Sequence, residues 1–400
     1  MIEHLRAARA AQTAFLRALV RLPTDNPPGD LADAAGQIAD LLEDLGLVVE
    51  RRPVDAARVA AAGMVSCTNL IARRHWGPGP VIALNVHADV VPPGEGWTTD
   101  PYGGELRDGW LYGRGSAVSK SDIATYAFAM RALDHEGDPP RGTVELHVTF
   151  DEETGGEIGP ALLLADGLSR PDFAICAGFS YGVTTAHNGA LHLEVEVRGR
   201  SAHAARPQTG IDALEAATAI LAALYTLRPE LAAHPSAIPG IGAPQLTIGL
   251  ISGGVNTNVV PDRVVFRLDR RIVPGEDAAA VESGLRETIE RAAAPFATAV
   301  TVRKILLAEP LTPLPGTDRL AATLCEHATE IFGVPVEAGG APLYTDARHY
   351  AAAGVPVALY GAGPRTIEEA NAHRADERVR PDDMHRATEV IALTLRDLLR

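Results

Sequence analysis

Cysteine, lysine and long apolar runs are all scarce in this chain, and each scarcity excludes something. Three cysteines, Cys67, Cys176 and Cys325, in 400 residues are too few and too scattered for a disulfide framework or a cysteine-rich zinc site. They read as small buried fillers. Lysine occurs only at Lys120 and Lys304, so arginine supplies nearly all positive charge. With a net charge of −15 and a pI near 5.3, no basic stretch offers itself to nucleic acid. No run of about 18 apolar residues exists to span a membrane. The start, Met1-Ile2-Glu3-His4-Leu5-Arg6, lacks the basic-then-apolar pattern of a secretory signal. A cytoplasmic protein with no nucleic-acid or membrane partner is expected.

What remains is an ordinary globular composition, 46% hydrophobic and 22% charged, long enough for two domains at the usual size of about 150 residues each. Amphipathic helices are expected over 4–20 and 30–46, separated by the Pro23 to Gly29 breakers. Short apolar or alternating runs at Val81 to Val86, Thr143 to Phe150, Phe173 to Ala177 and Val355 to Tyr360 predict strands. Helical patterns at 118–134, 158–168, 317–332 and 384–399 lie among them. The fold class is therefore α/β, a mixed sheet with helices on its faces. Between 188 and 307 the grammar changes to β-α-β-β-α-β: strands at Leu191 to Val197, Gln245 to Ile251, Arg263 to Ile272 and Ala297 to Ile305, helices at Ile211 to Leu227 and Glu276 to Ala293. Since α/β elements resume afterwards, 188–307 is expected to be inserted into a domain made of 1–187 and 308–400.

The chemistry concentrates at two strand ends. Phe150-Asp151-Glu152-Glu153-Thr154-Gly155-Gly156 follows one strand, and His87-Ala88-Asp89 ends another. Imidazole and carboxylate are ligands for zinc and similar ions, and a catalytic site keeps one position open. His87 and Glu153 supply suitable ligand types. Asp89 could accept the second N–H of His87 and fix its tautomer. Glu152 is the natural proton acceptor, because a metal-activated water needs a base that is not consumed by the metal. A Glu-Glu pair alone is usually a solvated loop; the joint placement after two strands is what favours a site.

Further motifs follow in order: Gly113-Arg114-Gly115 with Lys120, Ser201-Ala202-His203 with Pro207 and Gly210, Asn258-Val259-Val260-Pro261-Asp262, Thr345-Asp346-Ala347-Arg348, and Ala372-His373-Arg374-Ala375-Asp376-Glu377. With His87-Ala88-Asp89-Val90-Val91-Pro92 and the Asp151 to Gly156 run, they make nearly the whole chain resemble the M20 family of zinc aminoacylases, peptidases and desuccinylases. The resemblance implies a zinc-exopeptidase-like catalytic domain with an inserted lid and dimerisation domain, hence a homodimer. It implies zinc ligands at His87, Glu153 and His373, Glu152 as general base, Asp89 behind His87, and His203 stabilising the oxyanion. Asn258, Arg271 and Arg348 would face the substrate, the arginines suiting a carboxylate because a guanidinium binds both oxygens. Arg271, following Asp269 and Arg270 on a strand, could equally be a surface ion pair.

Two positions depart from the family pattern. Val118 stands where an aspartate bridges two ions, and Gly178 where a carboxylate completes the second site. Asp122, one helical turn after Val118, or His187, near the junction with the insertion, could replace a ligand. Asp122 could equally be a first-turn helix residue, and His187 a hinge or substrate contact. The cofactor is thus one or two zinc ions, with cobalt or manganese able to substitute. The expected activity is hydrolysis of an amide bond in an N-acyl amino acid or small peptide-like substrate with a free carboxylate. The competing readings are a scaffold that has lost hydrolysis and a single-metal hydrolase of another C–N bond.

Overall fold

The computed structural model describes residues 1–138 and 140–400. The chain divides into two compact units, one made of 1–185, 313–339 and 345–400, the other of 186–312 and 340–344. The second unit therefore begins two residues before, and ends five residues after, the boundaries read from periodicity (188 and 307), and it takes in 340–344 as well.

The first unit is built on a mixed sheet. In spatial order, strands Val48–Pro53, Thr68–His75, Thr143–Thr149, Val81–His87, Phe173–Cys176 and Val357–Leu359 lie side by side, followed by Val183–His187 and Ala338–Ala341, where the chain passes to and from the second unit. The four strands Thr143–Thr149, Val81–His87, Phe173–Cys176 and Val357–Leu359 are mutually parallel, with His87 opposite Thr149 and Cys176 opposite both Asn85 and Leu359. Their carboxyl ends share one edge, where open α/β sheets bind ligands. Parallel strands covered on both faces read as continuous apolar runs. Val81–His87 is buried at every position but the first.

Helix Lys120–Ala132 is buried at every position but Arg131, which is how a helix wrapped by core behaves. Helices Arg9–Val20, Thr317–Phe332 and Pro381–Leu398 pack their apolar stripes into the same core. The expected helix over 4–20 is interrupted at Ala8, giving Ile2–Ala7 and Arg9–Val20. Two antiparallel strands, Val48–Pro53 and Thr68–His75, were not anticipated. The first carries Arg51-Arg52-Pro53 on a largely exposed edge, a composition that suits an edge but weakens any strand signal.

The second unit contains a four-stranded antiparallel sheet in the order Gln245–Gly253, Arg263–Ile272, Gly189–Arg198, Ala299–Ala308. Helices Ala213–Ala232 and Ala278–Ala293 cover one face, their apolar residues meeting the inward set Leu191, Leu193, Val195 and Val197. Each helix starts at an aspartate cap: Asp212 accepts from the N–H of Leu214 and Glu215, Asp277 from those of Ala279 and Ala280. No helix among the described residues is long and apolar enough to cross a membrane.

Candidate active site

His87 closes its strand, and the chain turns at Asp89, whose side chain is fully buried. His87 Nδ1 lies 2.9 Å from the Asp89 backbone oxygen and 3.4 Å from its Oδ1. A carbonyl can only accept, so Nδ1 carries the proton and the Nε2 lone pair is left for a metal. The Asp89 carboxylate has a second duty. It accepts from Glu152 N at 3.3 Å, Glu153 N at 3.1 Å and Asn26 Nδ2 at 3.0 Å. One buried carboxylate thereby ties the two strand ends together and aims the Glu152-Glu153 turn.

That turn is a single 3-10 turn, Glu152–Thr154, closed by Gly155 in the left-handed region at φ 118°. Ligand atoms of His87, Glu152 and Glu153 lie within 4.8 Å of one another, the one such group of three or more among the described residues. His373 joins them, its Nε2 3.3 Å from Glu153 Oε1. That contact lacks hydrogen-bond geometry, so Glu153 Oε1 is a buried oxygen without a hydrogen bond. Two ligands on a tetrahedral ion, each about 2.1 Å from it, stand about 3.4 Å apart. The donor set and this spacing fit a divalent cation.

Electrostatics point the same way. Glu152 is pushed up to about 7 by burial, with Glu153 and Asp89 adding to the rise and His87 opposing it. Asp151 is likewise pushed up to about 7, by burial and by Asp89. Asp346, fully enclosed, lies well above the usual carboxylate range through burial and the fields of Glu152 and Asp151. His87 moves the other way from what burial favours: bonding to Asp89 and the fields of Glu152, Asp89 and Glu153 lift it well above 6.5. Crowded carboxylates that raise one another make a place where a cation would be held favourably.

His373 sits in a loop held in an unusual backbone conformation: Asn371, His373 and Asp376 all have φ between 50° and 61°. Such residues cost on the order of 1 kcal/mol each unless their surroundings impose them. Here Asp376 accepts from Thr98 N at 2.9 Å and Thr98 Oγ1 at 3.0 Å. Glu377 accepts from Arg114 Nη1 at 2.6 Å and from the N–H of Ala117 and Val118, both at 3.1 Å. The loop that presents His373 is thus pinned to the segment carrying Val118. Asp346 and Glu377 stood in quoted motifs without a role. No local pattern singles them out, since Glu377 lies in the charged run Arg374-Ala375-Asp376-Glu377-Arg378 and Asp346 between Thr345 and Ala347-Arg348.

Other expected residues fall elsewhere. Asp122 is buried and does not join the cluster. Its Oδ1 accepts from Ala362 N at 2.5 Å, burial raises it to about 7, and a Cβ on Gly361 would stand 1.9 Å from that oxygen. It clamps the helix start to the chain beyond strand Val357–Leu359 from the first turn of its helix, and it is not in the group of possible ligands among the described residues. His187 is fully buried in the second unit, its Nδ1 2.9 Å from Asn188 O, and is absent from the ligand cluster. Arg348, expected to face substrate, has a side chain 5% exposed and donates from Nη2 to Gly155 O. It buttresses the glycine turn behind Glu152-Glu153, alongside His349 Nε2, which lies 3.0 Å from the same oxygen.

In the second unit His203 and Asn258 adjoin on exposed turns, through the His203–Val259 bridge and the bond from Ala204 N to Asn258 O at 3.0 Å. His203 Nδ1 accepts from Ala205 N at 3.0 Å. Arg271 lies at the far end of strand Arg263–Ile272 from this pair and meets Asp269 Oδ1 at 3.0 Å.

Comparison with known proteins adds the following. The model of the family described as Peptidase family M20/M25/M40 matches residues 83–397. A succinyl-diaminopimelate desuccinylase of Rhizorhabdus wittichii is 31% identical over 395 residues, covering 95% of this chain and 96% of its own. The di-peptidase Dug1p of Saccharomyces cerevisiae shares the fold at a TM-score of 0.79 and 13% identity, covering 99% of this chain and 97% of that one. A Bacillus subtilis protein described as a dinuclear metal binding peptidase of the M20 family does so at 0.71 and 17%, covering 98% and 99%.

Proposed function

This chain belongs to the peptidase family M20/M25/M40, and from that premise we propose that it is a zinc-dependent amidohydrolase releasing an acyl group from an N-acyl amino acid, or splitting a similarly small peptide-like substrate, with a free carboxylate. The observation that carries the reading is the meeting of Glu152 with His87, Glu153 and His373 at the carboxyl edge of the parallel strands. His87, Glu153 and His373 would hold the ion, which supplies Lewis-acid polarisation of the amide carbonyl and a lowered pKa for water; cobalt or manganese would serve in its place. Glu152, which is not needed as a ligand, takes the proton from the attacking water and returns it to the departing amine. Asp89 holds both the His87 tautomer and the N–H groups of Glu152 and Glu153, so the base and the ligand move as one turn.

His203, Asn258 and Arg271 are proposed to face substrate, His203 supporting the oxyanion. Along their shared sheet Arg271 is removed from the His203 and Asn258 turns by roughly 25 Å of strand at about 3.3 Å per residue. One small substrate cannot span that distance, which favours a homodimer in which two copies divide these tasks. The Arg271 guanidinium would exchange Asp269 for the substrate carboxylate. The test is Glu152→Gln on the metal-loaded enzyme, assayed with N-succinyl and N-acetyl amino acids. Loss of turnover with metal content retained is expected; near-normal turnover removes Glu152 from the role.

A further inference from the structure

We infer that this site takes one divalent cation per chain and has no place for a second. The inference rests on the metal-dependent reading above and concerns what surrounds the cluster. One flank is well provided. Glu153 Oε1 and His373 Nε2 stand 3.3 Å apart, the edge of a single tetrahedral ion, and His87 lies within 4.8 Å of Glu153. Three protein donors and one open position are a complete catalytic set.

A second ion beside His87 would need donors from the segments that flank it, and these supply few. Ser119 turns its hydroxyl to the His87 carbonyl at 3.0 Å. The residue before it, Val118, carries no donor atom in its side chain, and its N–H is held by Glu377. Thus residue 118, whose side chain packs against the core, offers no ligand atom in that stretch. At the end of the neighbouring strand, Gly178 has no side chain and cannot acquire one. A Cβ there would lie 2.8 Å from both the Leu359 carbonyl carbon and Tyr360 N, closer than packed backbone allows. Asp122, a buried carboxylate one helical turn after Val118, is bonded to Ala362 N. Cys176 is buried in its strand, its thiol raised far above the ordinary value by burial, and is absent from the cluster. A second cation would therefore hold one imidazole and a share of Glu153. Stripping hydration from a divalent ion for so few ligands is unfavourable.

Metal stoichiometry tests this without recourse to activity. Full-length protein, stripped with chelator, is titrated with cobalt(II), following the visible d–d absorption, and the zinc-loaded form is analysed by elemental mass spectrometry after equilibrium dialysis. A single break at one equivalent, with one zinc per chain, is expected. Two equivalents overturn the inference and leave the hydrolase reading standing. No stoichiometric binding of zinc, cobalt or manganese overturns the reading itself. His87→Ala, Glu153→Gln and His373→Ala should each weaken the one equivalent by at least about 100-fold. A folded His87→Ala protein that keeps a tight equivalent would show that His87 does not share the ion, and would also overturn the inference.

Discussion

Arg114 and Glu377 in the first unit meet with side chains 1% and 0% exposed, whereas in the second unit Arg267 and Arg303 flank Glu194 with side chains 48%, 60% and 19% exposed. The ion pairs look alike on paper and differ in physics. Glu377 has left water entirely, so its charge is tolerable only because Arg114 and two backbone N–H groups replace the lost hydration. What it gains is position: every donor to Glu377 lies on the segment facing His373, which cannot drift without breaking several bonds. The Glu194 ladder runs across strands on the open face of its sheet, where water competes and the pairing sets register and solubility. Buried polarity in the first unit holds chemistry in place, and exposed polarity in the second keeps a surface wet.

Substitutions can break or sharpen that contrast. The largest effect belongs to Glu152→Gln, where loss of a general base lowers kcat by about 10²- to 10⁴-fold in a substrate-saturated assay, with bound metal unchanged. Next comes Arg114→Met, which strands a buried carboxylate and should cost about 3–5 kcal/mol in denaturant unfolding. It should also loosen metal binding, since the His373 loop loses its anchor.

A smaller and pH-dependent effect is expected at His349, which burial and the Arg348 charge hold down at about 4. Between its ordinary 6.5 and that value the unfolded chain binds the proton and the folded one does not. Stability conferred by this group is therefore present above pH 6.5 and is lost as pH falls through 4. His349→Gln should flatten that limb by up to roughly 3 kcal/mol, seen in unfolding midpoints measured at pH 4, 5.5 and 7. Smallest of all is Glu194→Ala, which should move Tm by no more than about 2 °C. If it rivals Arg114→Met, the distinction between the two units collapses.

The site was legible in sequence to the extent that it follows strand ends. His87, Glu152 and Glu153 stand directly after apolar runs whose period and length announce strands, and parallel pairing then brings them to one edge. Helix Lys120–Ala132 was equally plain from its pattern. Arg348 and Asp122 were not, because their partners, the Gly155 carbonyl and the Ala362 N–H, lie 193 and 240 residues away in the chain. Strand Val48–Pro53 went unseen since its pattern shows one fully buried residue, leaving almost no alternation to read.

The sequence by itself determined the chemical inventory: which imidazoles and carboxylates are available, which strand ends carry them, and that residue 118 is a valine and residue 178 a glycine. Only the tertiary structure decided what each acid does. Asp89, Asp122, Glu153 and Glu377 have nearly the same side-chain chemistry, and become a clamp on a turn, a tie to a backbone N–H, a buried oxygen without a hydrogen bond and an anchor for a loop. The physical reason is that a carboxylate's role is set by how much water it has lost and which donors replace it. Those donors arrive through packing between segments far apart in the chain, which local spacing does not encode.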